Sequence, residues 1–110
     1  MSDRYVVKVT AYAMEQLKET LDYISRVLME PQTARKWLDT MEREIQTLDF
    51  MPNRFRLTYE EPWRSRGIRC MNVMNYSVYF WVDDESKTVW VTAVIYGRRN
   101  QPEQLKKMEQ

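Results

Sequence analysis

The spacing of apolar residues changes at Pro52, and that change limits the folds this chain can adopt. Between Thr10 and Pro52, apolar residues recur every three or four positions, which is the period of an amphipathic helix facing a core. After Pro52, they alternate with polar residues in short runs, which is the period of β-strands. The pattern predicts an α+β protein whose helical first half packs on a sheet from its second half.

One strand and two helices are predicted before Pro52. The run "RYVVKVT" alternates and is rich in β-branched residues, so it is predicted to form a strand, with Thr10 capping the next helix. Pro31 separates two runs with helical spacing and predicts an antiparallel hairpin. Their apolar positions are Met14, Leu17, Leu21, Ile24 and Leu28, then Ala34, Trp37, Leu38, Met41, Ile45 and Leu48. Met14 and Met41 are expected in the core.

Three strands are predicted after Pro52, namely "RGIRCMNVM", "YSVYFWVDD" and "TVWVTAVIYG", with turns near Asn75 and at "DDESK". The run "RFRLTYEEPW" fits either a short edge strand or a loop, and "PEQLKKMEQ" is expected to form a helical turn or two. The predicted order is β-α-α-β-β-β, with the helical hairpin on one face of a small, mainly antiparallel sheet. Residues 1–110 are predicted to form one domain.

The middle strand of this sheet has two unlike faces. One set of its side chains is assigned to the core under the helices: Tyr76, Val78, Phe80 and Val82. The other set is expected on an open face: Ser77, Tyr79 and Trp81. With Trp90, such aromatic residues suit either base stacking or a protein partner, and we favour a partner.

The composition excludes several classes of chemistry. The chain has no histidine, which excludes Ser-His-Asp and Cys-His catalysis and removes the usual zinc ligands. Its single cysteine, Cys70, cannot form an internal disulfide and is expected to be a small buried residue. No metal or cofactor is predicted. Because no apolar run approaches membrane-spanning length and the first residues lack a secretion-signal pattern, a cytoplasmic protein without a membrane partner is expected.

Arginines concentrate in the second half of the chain. The net charge is +1, but residues 51–110 carry ten Lys/Arg against seven Asp/Glu. Seven of the ten are arginines, which favours bidentate contacts to phosphate or carboxylate: Arg54, Arg56, Arg64, Arg66, Arg69, Arg98 and Arg99. The first three are expected to face solvent from a loop. Arg66 and Arg69 cannot both face the open side of a regular strand.

The order and spacing of these segments resemble the toxins of the RelE/ParE superfamily from bacterial type II toxin–antitoxin modules. The resemblance rests on "GIR" at residues 67–69, on "YSVYFWVDD", on "VTAVIYGRRN" and on the early "VTAYAMEQLKETLDYI". It covers nearly the whole chain. It implies the fold predicted above, growth inhibition, plasmid stabilisation, and neutralisation by an antitoxin segment that wraps the toxin.

Two modes of toxicity are known in the superfamily, and the family's nuclease residues map onto this chain only in part. Arg99 matches the arginine after the last strand. Ser77 and Leu105 stand where nuclease members carry working side chains, and Ile68 and Cys70 stand where they carry lysines. We therefore lean slightly to a ParE-like inhibitor of DNA gyrase without nuclease chemistry. The alternative is a RelE-like ribosome-dependent endoribonuclease, in which the ribose 2′-oxygen of mRNA attacks the phosphate.

The site predictions follow from these two modes. Arg99 and Arg69 would be catalytic in the nuclease alternative, and Tyr79, Tyr96 or Glu60 would transfer protons. In either mode, five residues are predicted to bind partners: Arg66, Arg98, Tyr79, Trp81 and Tyr96. Those partners are a cognate antitoxin and either DNA gyrase or the ribosome with its mRNA. A homodimer, a toxin–antitoxin hetero-oligomer and an inactive relic all stay open.

Overall fold

The computed structural model describes residues 4–97. The elements follow the predicted order: β1 (Val6–Val9), α1 (Ala11–Asp22), α2 (Pro31–Gln46), β2 (Ile68–Val73), β3 (Tyr76–Asp83) and β4 (Thr88–Tyr96). The helical turns predicted for "PEQLKKMEQ" lie outside the described residues.

The four strands form one mixed sheet with the order β1-β4-β3-β2. β1 runs parallel to β4, whereas β3 is antiparallel to both β4 and β2. The prediction of a mainly antiparallel sheet is therefore confirmed. The ambiguous run "RFRLTYEEPW" lies along the outer edge of β2, where the Thr58 N–H donates to the Ile68 carbonyl (2.8 Å) and the Cys70 N–H donates to the Arg56 carbonyl (3.2 Å).

The helical hairpin begins and turns at the residues that the sequence predicts. Thr10 Oγ1 accepts a hydrogen bond from the Ala13 N–H (3.2 Å), which caps α1. α1 continues as a π-helical turn, Tyr23–Val27, rather than as a regular helix. Met29 then adopts the left-handed conformation (φ 56°), and Pro31 begins α2. This corner reverses the chain and sets α2 beside α1.

The main core fills the space between the two helices and one face of the sheet. Its buried members include Leu17, Trp37, Met41, Ile45, Leu48, Val78, Phe80, Val89 and Val91. The predicted inward set of β3 is confirmed, since Tyr76 and Val82 also pack against this cluster. The prediction for Met14 is wrong, because its side chain is 46% exposed. It lines the mouth of a groove between the helices and β1 instead of the core.

The opposite face of the sheet is not open as predicted, because the segment before β2 folds over it. Trp63 of that segment is 5% exposed and packs with Ile68, Tyr79, Ala93 and Ile95 in a second apolar cluster. Tyr79 is therefore 2% exposed, which corrects its assignment to a solvent-facing surface.

An irregularity in β4 supplies the residues of that second cluster. Tyr79 pairs with Ala93 and Phe80 pairs with Val91, so Thr92 is an extra residue between the two pairs. The bulge changes the alternation of side chains along β4. As a result, Val91 and Val94 both belong to the main core, whereas Ala93 belongs to the second cluster.

Candidate functional site

Arg69, a predicted catalytic residue, lies on the core side of the sheet. It pairs directly with Phe80 across β2 and β3, and opposite partners in an antiparallel pair share a face. Its Nη1 donates a hydrogen bond to the Phe55 carbonyl (2.6 Å), and the side chain is half-buried. Arg69 thus fastens the loop before β2 to the sheet.

Arg66 lies apart from Arg69, at the other face. Its guanidinium carbon is 5.2 Å from the ring centroid of Trp63, the residue that covers the second cluster. Gly67 follows with φ 85°, a conformation that favours glycine and redirects the chain into β2. The structure therefore does not bring Arg66 and Arg69 together at one phosphate-sized site. Arg98 and Arg99 lie outside the described residues.

The aromatic residues predicted to bind partners differ in accessibility. Tyr79 is buried, whereas Trp81 is 39% exposed and Tyr96 is 65% exposed. Trp81 pairs with Trp90 across β3 and β4, and the Lys8 ammonium lies 5.5 Å from the Trp90 ring. Tyr96 stands at the far end of β4, on another part of the surface.

Ser77 and Glu60 border a small polar cleft of about 70 Å³ over the second face, with Tyr79 and Arg56. Ser77 is buried, and its hydroxyl donates to Asn72 Oδ1 (3.4 Å). Glu60 accepts a hydrogen bond from Thr58 Oγ1 (2.5 Å). Both polar groups are therefore engaged within the protein, and the cleft is too small for a nucleotide.

The resolved pKa shifts do not create a general base near neutral pH. Burial raises the pKa of Tyr12 and of Tyr76, and the neighbouring Tyr96 adds to the increase at Tyr76. The hydrogen bond to Asp84 raises the pKa of Tyr5, and the same bond lowers the pKa of the Asp84 carboxyl. Each shift moves the pKa of its group further from neutral pH, where a general base would have to exchange protons.

Two apolar grooves flank the helical hairpin. The first, which we call the helix groove, has a volume of about 800 Å³ and lies between α1, α2 and β1. Its apolar walls are Val7, Val9, Met14, Leu17, Leu21, Leu38 and Ile45. Lys18, Asp39, Glu42 and Arg43 give it a rim of mixed charge.

The second groove, which we call the tyrosine groove, lies at the corner of the hairpin beside the end of β4. Its volume is about 650 Å³, and its apolar walls are Tyr23, Ile24, Leu28, Tyr76 and Tyr96. The carboxylates of Glu19 and Glu30 stand on its border. Tyr76 packs edge-on against Tyr96, with ring centroids 5.2 Å apart.

Sequence reasoning named Tyr96 but missed both grooves. A groove depends on how far two helices diverge, which residue spacing does not encode. One signal was available for the tyrosine groove, since Tyr23, Leu28 and Met29 are large apolar residues crowded next to the Pro31 break.

Residues 4–97 contain no cluster of three or more His, Cys, Asp or Glu side chains able to hold a metal ion. Within the same range, no helix combines the length and apolar character required to cross a bilayer.

Two solved structures share the fold of a helical hairpin on a four-stranded mixed sheet, and both belong to the ParE/RelE-like fold class. A solved structure of the chromosomal ParDE TA system from P. aeruginosa matches with a TM-score of 0.70 at 21% identity, covering 88% of this chain and 100% of that one. The toxin-antitoxin complex RelBE2 from Mycobacterium tuberculosis matches with a TM-score of 0.58 at 20% identity, covering 84% and 91%. These two similarities show the fold.

The family is shown by sequence. A family model for the ParE toxin of the type II toxin-antitoxin system parDE matches residues 7–101. The chain belongs to this ParE toxin family. No curated protein sequence matches it significantly.

Proposed function

We propose that this protein inhibits growth by acting on DNA gyrase, without cutting RNA, and that a cognate antitoxin neutralises it. The observation that carries the non-nuclease part is the separation of the candidate catalytic groups. Arg69 is on the core side of the sheet and hydrogen-bonded to the Phe55 carbonyl, whereas Tyr79 is buried on the other side. Phosphoryl transfer needs cations and proton-transfer groups that converge on one phosphate.

Ser77 supports the same conclusion. It stands where nuclease members of the superfamily carry an arginine, and its side chain is 9% exposed. A buried hydroxyl that donates to Asn72 cannot replace a guanidinium at a scissile phosphate. Family membership adds to this, because the matched model is that of ParE rather than of RelE.

An antitoxin partner is supported by the family and by the neighbouring structures, which are described as toxin-antitoxin systems. We assign its main contact to the helix groove. Met14 is 46% exposed there, and Val7 and Val9 of the edge strand β1 line the same groove. Exposed apolar residues in a groove are typical of a surface that another chain covers. The complex is then a toxin–antitoxin hetero-oligomer in the cytoplasm.

The experiment compares two activities of one purified preparation. Gyrase is assayed by supercoiling of relaxed plasmid, and mRNA integrity by primer extension in a cell-free translation reaction with and without ribosomes. We expect supercoiling to stop and the message to remain intact. The matched control is the same toxin after saturation with its antitoxin, which should restore supercoiling.

The other results each contradict a stated part of the proposal. Cuts that appear only with ribosomes would establish the RelE-like endoribonuclease and overturn the gyrase assignment. Unchanged supercoiling and intact message, in a protein whose induction leaves growth unchanged, would indicate an inactive relic.

A further inference from the structure

The tyrosine groove lies where the chain leaves the described fold. β4 ends at Tyr96, which forms one wall of the groove. The Gly97 N–H donates to the Asn75 carbonyl (2.8 Å), and Gly97 has φ 62°. Because an ordinary side chain is disfavoured at that φ, Gly97 allows a sharp turn at this point. Gly97, the last described residue, therefore lies next to a wall of the groove, and its backbone does not continue the extended direction of β4.

The exposed apolar residues of the groove form one continuous surface, unlike the isolated apolar side chains that are common on protein surfaces. Three of its wall residues are large and accessible: Tyr23 at 53%, Leu28 at 48% and Tyr96 at 65%. They are contiguous around one concave site of about 650 Å³. Contiguous apolar surface of this kind indicates a covering partner. The charges at its border are the carboxylates of Glu19 and Glu30, so the partner should be apolar with cationic flanks.

Residues 98–110 have that chemistry. The segment "RRNQPEQLKKMEQ" holds four Lys/Arg against two Asp/Glu, a net charge of +2. Leu105 and Met108 are its large apolar residues, and a spacing of three would put them on one side of a helical turn that begins at Pro102. Lys106 and Lys107 lie between them, adjacent to the apolar pair.

The length of the segment is sufficient. Leu105 is eight positions after Gly97, and eight residues of extended chain span up to roughly 26–29 Å. Because Tyr96, the neighbour of Gly97, is itself a wall of the groove, the segment begins next to the site that it would fill.

We propose that residues 98–110 of this chain dock into the tyrosine groove, with Leu105 and Met108 against its aromatic walls and Lys106 and Lys107 near Glu19 and Glu30. The family match ends at residue 101, so most of the docking segment lies beyond it. The docked segment covers Tyr23, Leu28 and Tyr96, and any other chain that uses this groove must first displace it. This inference does not depend on whether gyrase or mRNA is the target.

Disulfide trapping tests the contact in the full chain. Cys70 is replaced by serine, and Leu28→Cys is combined with Leu105→Cys. The matched control combines Met74→Cys with Leu105→Cys. Met74 is exposed to a similar degree, 52% against 48% for Leu28, and lies in the turn that holds Gly97, closer to the start of the segment. An undocked segment would therefore favour the cysteine at position 74.

In a glutathione redox buffer at micromolar protein, we expect the 28–105 disulfide to form at an effective concentration about tenfold above that of the 74–105 disulfide. Intact mass under non-reducing conditions distinguishes the monomeric product. Lys106→Glu with Lys107→Glu should reduce the 28–105 yield severalfold, because it places anions beside Glu19 and Glu30.

Equal yields for the two pairs, or a larger yield for the 74–105 pair, would overturn the docking proposal. Disulfide-linked dimers in place of the monomeric product would also overturn it and would identify a second copy as the occupant. Far-ultraviolet circular dichroism of each variant confirms that the fold is intact, and no growth or gyrase assay enters the result.

Discussion

At the scale of single residues, the arginines in the second half of the chain make different kinds of contact. Arg69 reaches across to the Phe55 carbonyl and holds a loop on the sheet. Arg66, three positions earlier, lies over the Trp63 ring on the other face. Arg54 also bonds backbone carbonyls, those of Phe50 and Met51. Several arginines whose number in the sequence suggests a phosphate site therefore stabilise irregular backbone segments instead.

Arg69 provides a direct test of this structural role. Arg69→Met keeps the apolar stem but removes the hydrogen bond, which leaves the Phe55 carbonyl without that donor. We expect the free energy of unfolding to fall by about 1–2 kcal/mol in urea denaturation. The control is Arg35→Met on the exposed side of α2, which should change stability by less than about 0.5 kcal/mol. An unchanged free energy of unfolding in Arg69→Met would contradict the structural role of Arg69.

The bond between Tyr5 and Asp84 predicts a specific pH dependence. The Tyr5 hydroxyl donates to Asp84 Oδ1 (2.5 Å), which joins the start of β1 to the turn between β3 and β4. Tyr5 lowers the pKa of the Asp84 carboxyl in the folded state. This stabilisation is present above the unfolded-state pKa of the carboxyl and is lost as the pH falls through the folded-state pKa.

At high pH the same bond makes stability change in the opposite direction with pH. Asp84 raises the pKa of Tyr5, so that contribution is present below the unfolded-state pKa of tyrosine and is lost as the pH rises through the folded-state value. Tyr5→Phe should cost about 0.5–1 kcal/mol at neutral pH and should raise the pKa of Asp84, measured by carboxyl NMR titration. An unchanged Asp84 pKa in this variant would contradict the assignment.

At the scale of elements, two irregularities determine which side chains form the surfaces of the protein. They are the hairpin corner and the bulge in β4. The π-helical turn Tyr23–Val27 and the left-handed Met29 end α1 and bring Leu28 to the tyrosine groove. The extra residue Thr92 turns Ala93 and Ile95 toward Trp63. Both irregularities are local, yet they decide which side chains each face presents.

The helix groove allows a prediction about antitoxin binding. Met14→Glu places a charge among its apolar walls, so the dissociation constant for the antitoxin should rise about tenfold or more, which corresponds to at least about 1.4 kcal/mol. Met51→Glu is the control, because Met51 is also an exposed methionine, at 56%, and does not line the groove. Isothermal titration calorimetry measures both. Equal dissociation constants for the two variants would show that the antitoxin binds at another surface.

At the scale of the whole molecule, the sheet is apolar on both faces. The helices cover one face, and the segment that carries Trp63 covers part of the other. Among the described residues, the accessible features include the two grooves on the helix side and Trp81 on the opposite face of the sheet. A small toxin with separate surfaces can be bound by a neutralising partner at one and meet its target at another.

The sequence by itself determined the element order, the hairpin break at Pro31, the Thr10 cap and the inward face of β3. Each depends on local spacing or on one backbone preference, and both are encoded by neighbouring residues. The family resemblance was likewise carried by short runs in the correct order.

Only the tertiary structure decided the burial of Tyr79 and the exposure of Met14, whereas the pleat of a strand had already predicted that Arg66 and Arg69 do not share one face. Tyr79 is buried by Trp63, sixteen positions earlier in the chain, and no periodicity predicts where a loop will fold. Met14 has the spacing of a core residue, but α1 and α2 leave a groove beside β1 that packing alone defines. Local pattern specifies which face a residue lies on, and the fold specifies what covers that face.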